Sequence, residues 1–338
     1  MSEQSTTLGR PATKPSAAQG PTRASRTSVG RIPAPVIVGG FLLVVVVIFT
    51  LSSDRFLTAN NASTIVATAS VIMLASLGQL LVVISGGFDL SIGGVIPLAA
   101  VVFAKLSTQG SSMQVALAVA LLVGLVAGAI HTVFIVQLGI NPLIATLATL
   151  SVAGGVAFTL ADGQTLGVPT SAGVLGNRAI GTIPWHVPLM IGLVIVMHLV
   201  LQHTLFGRRI YMVGGNPEAA RLAGVRTTLI GGSAYIISGM FAALAGVVLA
   251  SQILAATGGV GSDVTMQSLA AVVLGGAALT GGRGSVPGAV IGVLLLGVIA
   301  NGMSILLVPT FYQQIVTGLV LLAAVTLSRL QERSRTVA

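Results

Sequence analysis

Asn216, Pro217, Glu218 and Arg221 fall within six positions of a polar loop, 204–227, that separates two long apolar stretches. Their order suits a short helix better than an active site. Asparagine is a good N-cap, proline fits the first helical position, and an acid in the first turn complements the helix dipole. Ala219, Ala220, Leu222 and Ala223 favour helix, and Gly224 supplies a stop. Two turns would reach about 10 Å. Leu222 and the alanines give this rod a small-residue face that could enter a partner's groove. A rod resting on lipid through its arginines is equally open.

The remaining polar residues do not assemble a catalyst. The chain has no cysteine, so a disulfide, a thiol nucleophile and a Cys-ligated zinc or iron–sulfur centre are excluded. It has neither a G-x-x-x-x-G-K-[ST] loop nor an H-E-x-x-H motif. No enzyme activity, cofactor or metal is expected. Asp89 and Asp263 fall near the ends of apolar stretches, so no acid is expected mid-span to serve as an ion relay. His131, His198 and His203 read as interfacial residues near helix ends. Asp89 and Ser91 precede a short apolar segment; either could cap it, and contact with a solute is the alternative. Gln79, Asn141, Asn301, Gln313 and Gln314 could bridge helices or meet a passing hydroxyl.

The setting of these residues is membrane. Of 338 residues, 54% are hydrophobic and 7% charged, against about 25% charged in soluble domains. A spanning helix needs about 20 apolar residues. The long uncharged runs divide into ten segments: 34–52, 63–85, 92–106, 113–137, 142–161, 185–203, 228–252, 264–279, 285–307 and 310–328. Runs such as Val44 to Val47 do not alternate, which argues against a β-barrel. The expected class is therefore an all-α polytopic membrane protein with about ten spans, or eight if the short segments 92–106 and 264–279 do not cross. With both termini in the cytoplasm, thirteen of the 16 basic residues fall inside; Arg55, Lys105 and Arg178 fall outside. That matches the positive-inside rule. Residues 1–31 read as a flexible basic tail, 32–330 as the membrane domain and 331–338 as a second tail. The first span lacks an A-x-A site and reads as uncleaved.

Two stretches look alike. Met73 to Gly94 and Met266 to Gly288 each run through Met, Ser-Leu, an apolar stretch, Gly-Gly, Ser and Gly, as a same-direction repeat would. Ala120, Gly124 and Gly128 form a small-residue face, expected to pack within the chain. Trp185 and Tyr312 suit outer interfacial anchors.

Glu218-Ala219-Ala220 followed by Gly224 resembles the EAA coupling loop of ABC-importer permeases. The string Gly214 to Val225 resembles the version in the ribose/xylose/arabinose permease family. Gly86 to Gly93 (GGFDLSIG), Asn141 to Leu147 (NPLIATL) and Ala270 to Gly276 (AAVVLGG) with Gly281 to Gly284 resemble three further stretches of that family, in order. Phe88, Leu143 and Gly94 depart from its pattern. The resemblance implies the membrane subunit of a binding-protein-dependent monosaccharide importer. Gly215, Asn216, Glu218, Ala219, Ala220, Arg221 and Gly224 would then couple to a separate ABC ATP-binding subunit. A periplasmic or lipid-anchored sugar-binding protein, a second permease copy and membrane lipid are the other implied partners; nucleic acid is not. An ion-coupled secondary transporter is the alternative, and a scaffold or channel a third reading.

Overall fold

The computed structural model describes residues 34–176, 178–180, 183–309, 311–320, 322, 323 and 326. The expected tails 1–31 and 331–338 lie outside the described residues, as does part of the expected last span, 310–328. The helices are α1 (Ala34–Ser52), α2 (Ala59–Ile84), α3 (Ile92–Thr108), α4 (Met113–His131), α5 (Pro142–Leu160), α6 (His186–His203), α7 (Leu205–Gly215), α8 (Pro217–Leu222), α9 (Thr227–Ile253), α10 (Val264–Leu274) and α11 (Val286–Ile305). Residues 311–320 are also helical. A π-helical turn, Thr132–Gln137, continues α4.

Among the described residues, seven helices are long and apolar enough to cross a membrane: α1, α2, α4 with its π turn, α5, α6, α9 and α11. The two segments expected to be short are short. At 11 residues, α10 rises only about 16 Å. The fold is not purely helical. Two small antiparallel pairings join β1 (Leu166–Gly167) to β4 (Ala255–Ala256) and β2 (Arg178–Ile180) to β3 (Ile183–Pro184). The long α5–α6 connection supplies three of these strands, because its backbone donors and acceptors need partners outside any helix.

The centre of the bundle is α9, which packs on α2, α3 and α4. Lipid tails are as apolar as leucine, so close packing rather than water exclusion holds such helices together. The stripe Ala120, Gly124 and Gly128 supplies that closeness. A Cβ at Gly124 would strike the Gly239 carbonyl, and one at Gly128 the backbone of Ile236. The small-residue face therefore lies against α9, as expected for packing within the chain.

The suspected repeat has the same helix ending in both copies. Gly86 follows α2 with φ +88°, and Gly276 follows the last turn of α10 with φ +89°. Gly86 N donates to the Val83 carbonyl and Gly87 N to that of Val82; Gly276 N donates to Val273 and Ala277 N to Val272. This is the double bond of a left-handed helix stop, which only glycine adopts freely. It also explains why α10 ends before the expected residue 279. The loops after the two helices meet: Gly282 N donates to the Ile84 carbonyl at 2.8 Å. At the opposite end of α2, Asn61 and Asn301 exchange side-chain amide bonds of 3.0 and 2.9 Å.

Candidate functional site

The loop 204–227 folds as two helices, one more than expected. Thr204 Oγ1 accepts from Gly207 N at 3.2 Å and starts α7. This helix is amphipathic: Gly207, Ile210, Val213 and Gly214 are buried, while Leu205, Arg208, Arg209 and Met212 are exposed. Its last turn is locked to the bundle. A Cβ at Gly214 would overlap the Ile84 carbonyl, and Tyr211 Oη donates to the Gly284 carbonyl at 2.8 Å.

The second helix is the one read from sequence. Asn216 Oδ1 accepts from Ala219 N at 3.0 Å, and Pro217 occupies the first turn of α8. Its end carries the same double bond as α2 and α10: Gly224 N donates to the Arg221 carbonyl and Val225 N to that of Ala220. Ala220 is buried against the bundle. Gly215, Glu218, Ala219, Arg221, Leu222 and Gly224 are exposed. Arg221 and Glu218 pair at 2.8 Å on the outer face. Both side chains are well solvated, so the pair adds little stability. Leu222 is 82% exposed at the tip. The result is a capped rod, fixed on one side and presenting an apolar tip between charges on the other.

A second polar group lies inside the bundle. The loop after α2 folds back, and Asp89 is fully buried. Its Oδ1 accepts from Ser91 N at 3.0 Å and Ser91 Oγ at 2.5 Å; its Oδ2 accepts from Ser238 Oγ of α9 at 2.7 Å. Tyr235 Oη, one turn from Ser238, donates to the Phe88 carbonyl. The Tyr235 ring meets His131 edge-on at 5.7 Å between centroids, and His131 Nε2 lies 2.9 Å from Thr149 Oγ1 of α5. Asp89 thus ties the loop to α9, and His131 ties α4 to α5. Among the described residues, His131 and Thr149 are the only hydrogen-bonding side chains lining an otherwise apolar groove of about 660 Å³ between α3, α4 and α5.

Several expectations change here. Ser91 stands at the α3 N-cap, yet its hydroxyl makes no cap bond and turns to Asp89 instead. Asp89, between the end of α2 and the start of α3, and His131, in the last turn of α4, are both buried in the bundle, which the sequence reading did not anticipate. Asn141 caps α5 through Leu143 N at 2.9 Å, and Asn301 bridges α11 to α2. Gln79 is fully buried, and among the described residues neither of its side-chain polar atoms has a hydrogen-bond partner, so no helix bridge is seen there. Ser238, Tyr235 and Thr149 were missed, because nothing local marks a hydroxyl on a long apolar helix as part of a distant carboxylate's shell.

These features coincide with a known family. Residues 61–325 match the permease component of the branched-chain amino acid transport system family. The chain belongs to that family. A probable ABC transporter permease of Sinorhizobium fredii is 36% identical over 301 residues, covering 88% of this chain and 90% of the relative. The ribose import permease of Bacillus subtilis is 34% identical over 291 residues, covering 85% and 90%. The L-arabinose transport system permease of Escherichia coli is 35% identical over 303 residues, covering 88% and 92%. No solved structure matches the chain. The permease is a multi-pass protein of the bacterial inner membrane, and the match spans both α8 and the Asp89 loop.

Proposed function

We propose that this permease is the membrane subunit of an ATP-driven, binding-protein-dependent importer of a monosaccharide of the ribose or xylose type. The observation that carries the reading is the geometry of α8. A rod capped at Asn216, stopped at Gly224 and buried only through Ala220 can transmit a push without bending. Glu218, Ala219, Arg221 and Leu222 would seat in a cleft of the ATP-binding subunit, with Gly215 and Gly224 as the two ends of the joint. ATP hydrolysis resides on that other chain. The sugar class is inferred from the ribose and arabinose relatives. The α8 end faces the cytoplasm, the chain crosses about ten times with both termini inside, and two copies form the pathway.

Buried Asp89 gives the ion-coupled alternative little support, because both oxygens already accept from Ser91 and Ser238. In proteoliposomes containing the assembled importer, uptake should require internal ATP and stop with vanadate. Uptake that ignores vanadate and follows an imposed proton gradient would reject the proposal.

A further inference from the structure

A cavity of about 360 Å³ opens beside α8, lined by Arg209, Gly224, Arg226, Leu229 and Ile230. It lies where α7 meets the start of α9. Both arginines are exposed, and neither guanidinium has a hydrogen-bond or ion-pair partner among the described residues. Two free guanidinium groups on one small cavity repel each other and offer up to ten N–H donors without an acceptor. An anion would satisfy both groups at once and relieve their repulsion.

The surroundings say which kind of anion. Leu229, on the cavity wall, is 60% exposed, and Met240, three helical turns along the same face of α9, is 37% exposed. Leu229 and Met240, with half-buried Ser233 and Ile236 between them, mark a partly lipid-open face running from the cavity along a helix of membrane-spanning length. Beside it, α7 exposes Leu205 and Met212 together with Arg208 and Arg209, the pattern of a helix lying at a membrane surface. A basic pocket at the head of such a helix face matches a phospholipid in both its parts, with phosphate on the arginines and acyl chain on the face. An acidic side chain from a partner protein would use the arginines but leave Leu229 and Met240 unexplained.

We infer that Arg209 and Arg226 form a binding site for the headgroup of one anionic phospholipid, in the leaflet on the α8 side. The inference does not depend on the sugar or on the ATPase reading. Arg226 directly precedes α9, and Gly224 ends the α8 motif, so an occupied site braces the base of the rod. Lipid composition would then set how firmly α8 is held.

The test uses the purified full-length permease without other subunits. Native mass spectrometry counts bound phosphatidylglycerol against phosphatidylcholine of the same acyl chains, with inorganic phosphate as a separate competitor. The wild type should retain phosphatidylglycerol preferentially. The double variant Arg209→Gln/Arg226→Gln should bind it on the order of thirtyfold more weakly, as expected for two basic side chains at an anionic surface. Arg209→Lys/Arg226→Lys should keep most of the binding, and Arg55→Gln, at the other end of the bundle, all of it. If the double variant does not fold, Arg226→Gln alone should show a smaller loss in the same direction. Equal retention by wild type and glutamine variant, or no preference for the anionic lipid, would overturn the site. Displacement of the lipid by millimolar inorganic phosphate would reduce it to a general anion pocket and overturn the lipid assignment.

Discussion

Asp89 and Ser238 lie 149 residues apart and meet through a 2.7 Å hydrogen bond in the interior of the bundle. That bond fastens the loop between α2 and α3 to α9, the helix that begins just after α8. Asp89→Asn removes an acceptor while Ser91 and Ser238 both still donate. An unsatisfied buried group costs about 1–3 kcal/mol, while an ordinary interhelical hydrogen bond in a membrane averages about 0.6 kcal/mol. Asp89→Asn should therefore lower the thermal stability of the purified permease more than Ser91→Ala does. Normal stability with altered sugar preference would instead place Asp89 in the pathway.

Gly214 and Gly215 are neighbours with opposite surroundings. A Cβ at Gly214 would overlap the Ile84 carbonyl, whereas one at Gly215 meets nothing within 4 Å. Alanine is otherwise favoured over glycine in a helix by about 1 kcal/mol. Gly214→Ala should sharply reduce the amount of folded permease recovered, and Gly215→Ala should leave it unchanged or slightly higher. Comparable yields for both would show that α7 does not seat on α2 as described.

Asn216→Ala removes the α8 cap at a cost of about 1 kcal/mol. Glu218→Lys breaks the Arg221 pair and reverses the charge of the exposed face. Neither change touches a buried contact, so insertion and abundance should persist. ATPase co-purification should fall modestly for the first and strongly for the second. Wild-type co-purification by Glu218→Lys would remove this residue from the docking surface.

Tyr211 provides a pH signature. Burial raises its phenol above the ordinary value of about 10. The folded state therefore favours the neutral form, which also donates to Gly284. The sign follows: this contribution is fully present below pH 10 and is lost as pH rises through the higher folded value. Thermal melts taken from pH 8 to pH 11 should show a steeper alkaline loss for wild type than for Tyr211→Phe. Parallel curves would mean that the phenol is not held neutral.

What could be read from sequence was what local chemistry decides. The rod at 217–222 was legible because its cap, its acid and its stop all lie within nine residues of one another. The shortness of α3 and α10 was legible from the lengths of their apolar segments, and the repeat from its paired Gly-Gly steps, though not that α10 would stop at the second of them. Burial was not legible. Asp89 follows a span by five residues and so looked terminal, but the loop returns into the bundle and meets a serine on a distant helix. His131 is buried because Tyr235 and Thr149 pack and bond against its ring from other helices, which its own segment does not signal. The strand pairings depend on contacts such as Leu166 with Ala256, which no local pattern announces.

The most direct measurement is sided labelling of Leu222→Cys in cells, made clean by the absence of any other cysteine. A membrane-impermeant maleimide should leave this position unmodified in intact cells and modify it after permeabilisation, and assembly with the ATPase should then protect it. Labelling from outside intact cells would contradict the account at its centre, because α8 would then face away from any source of ATP.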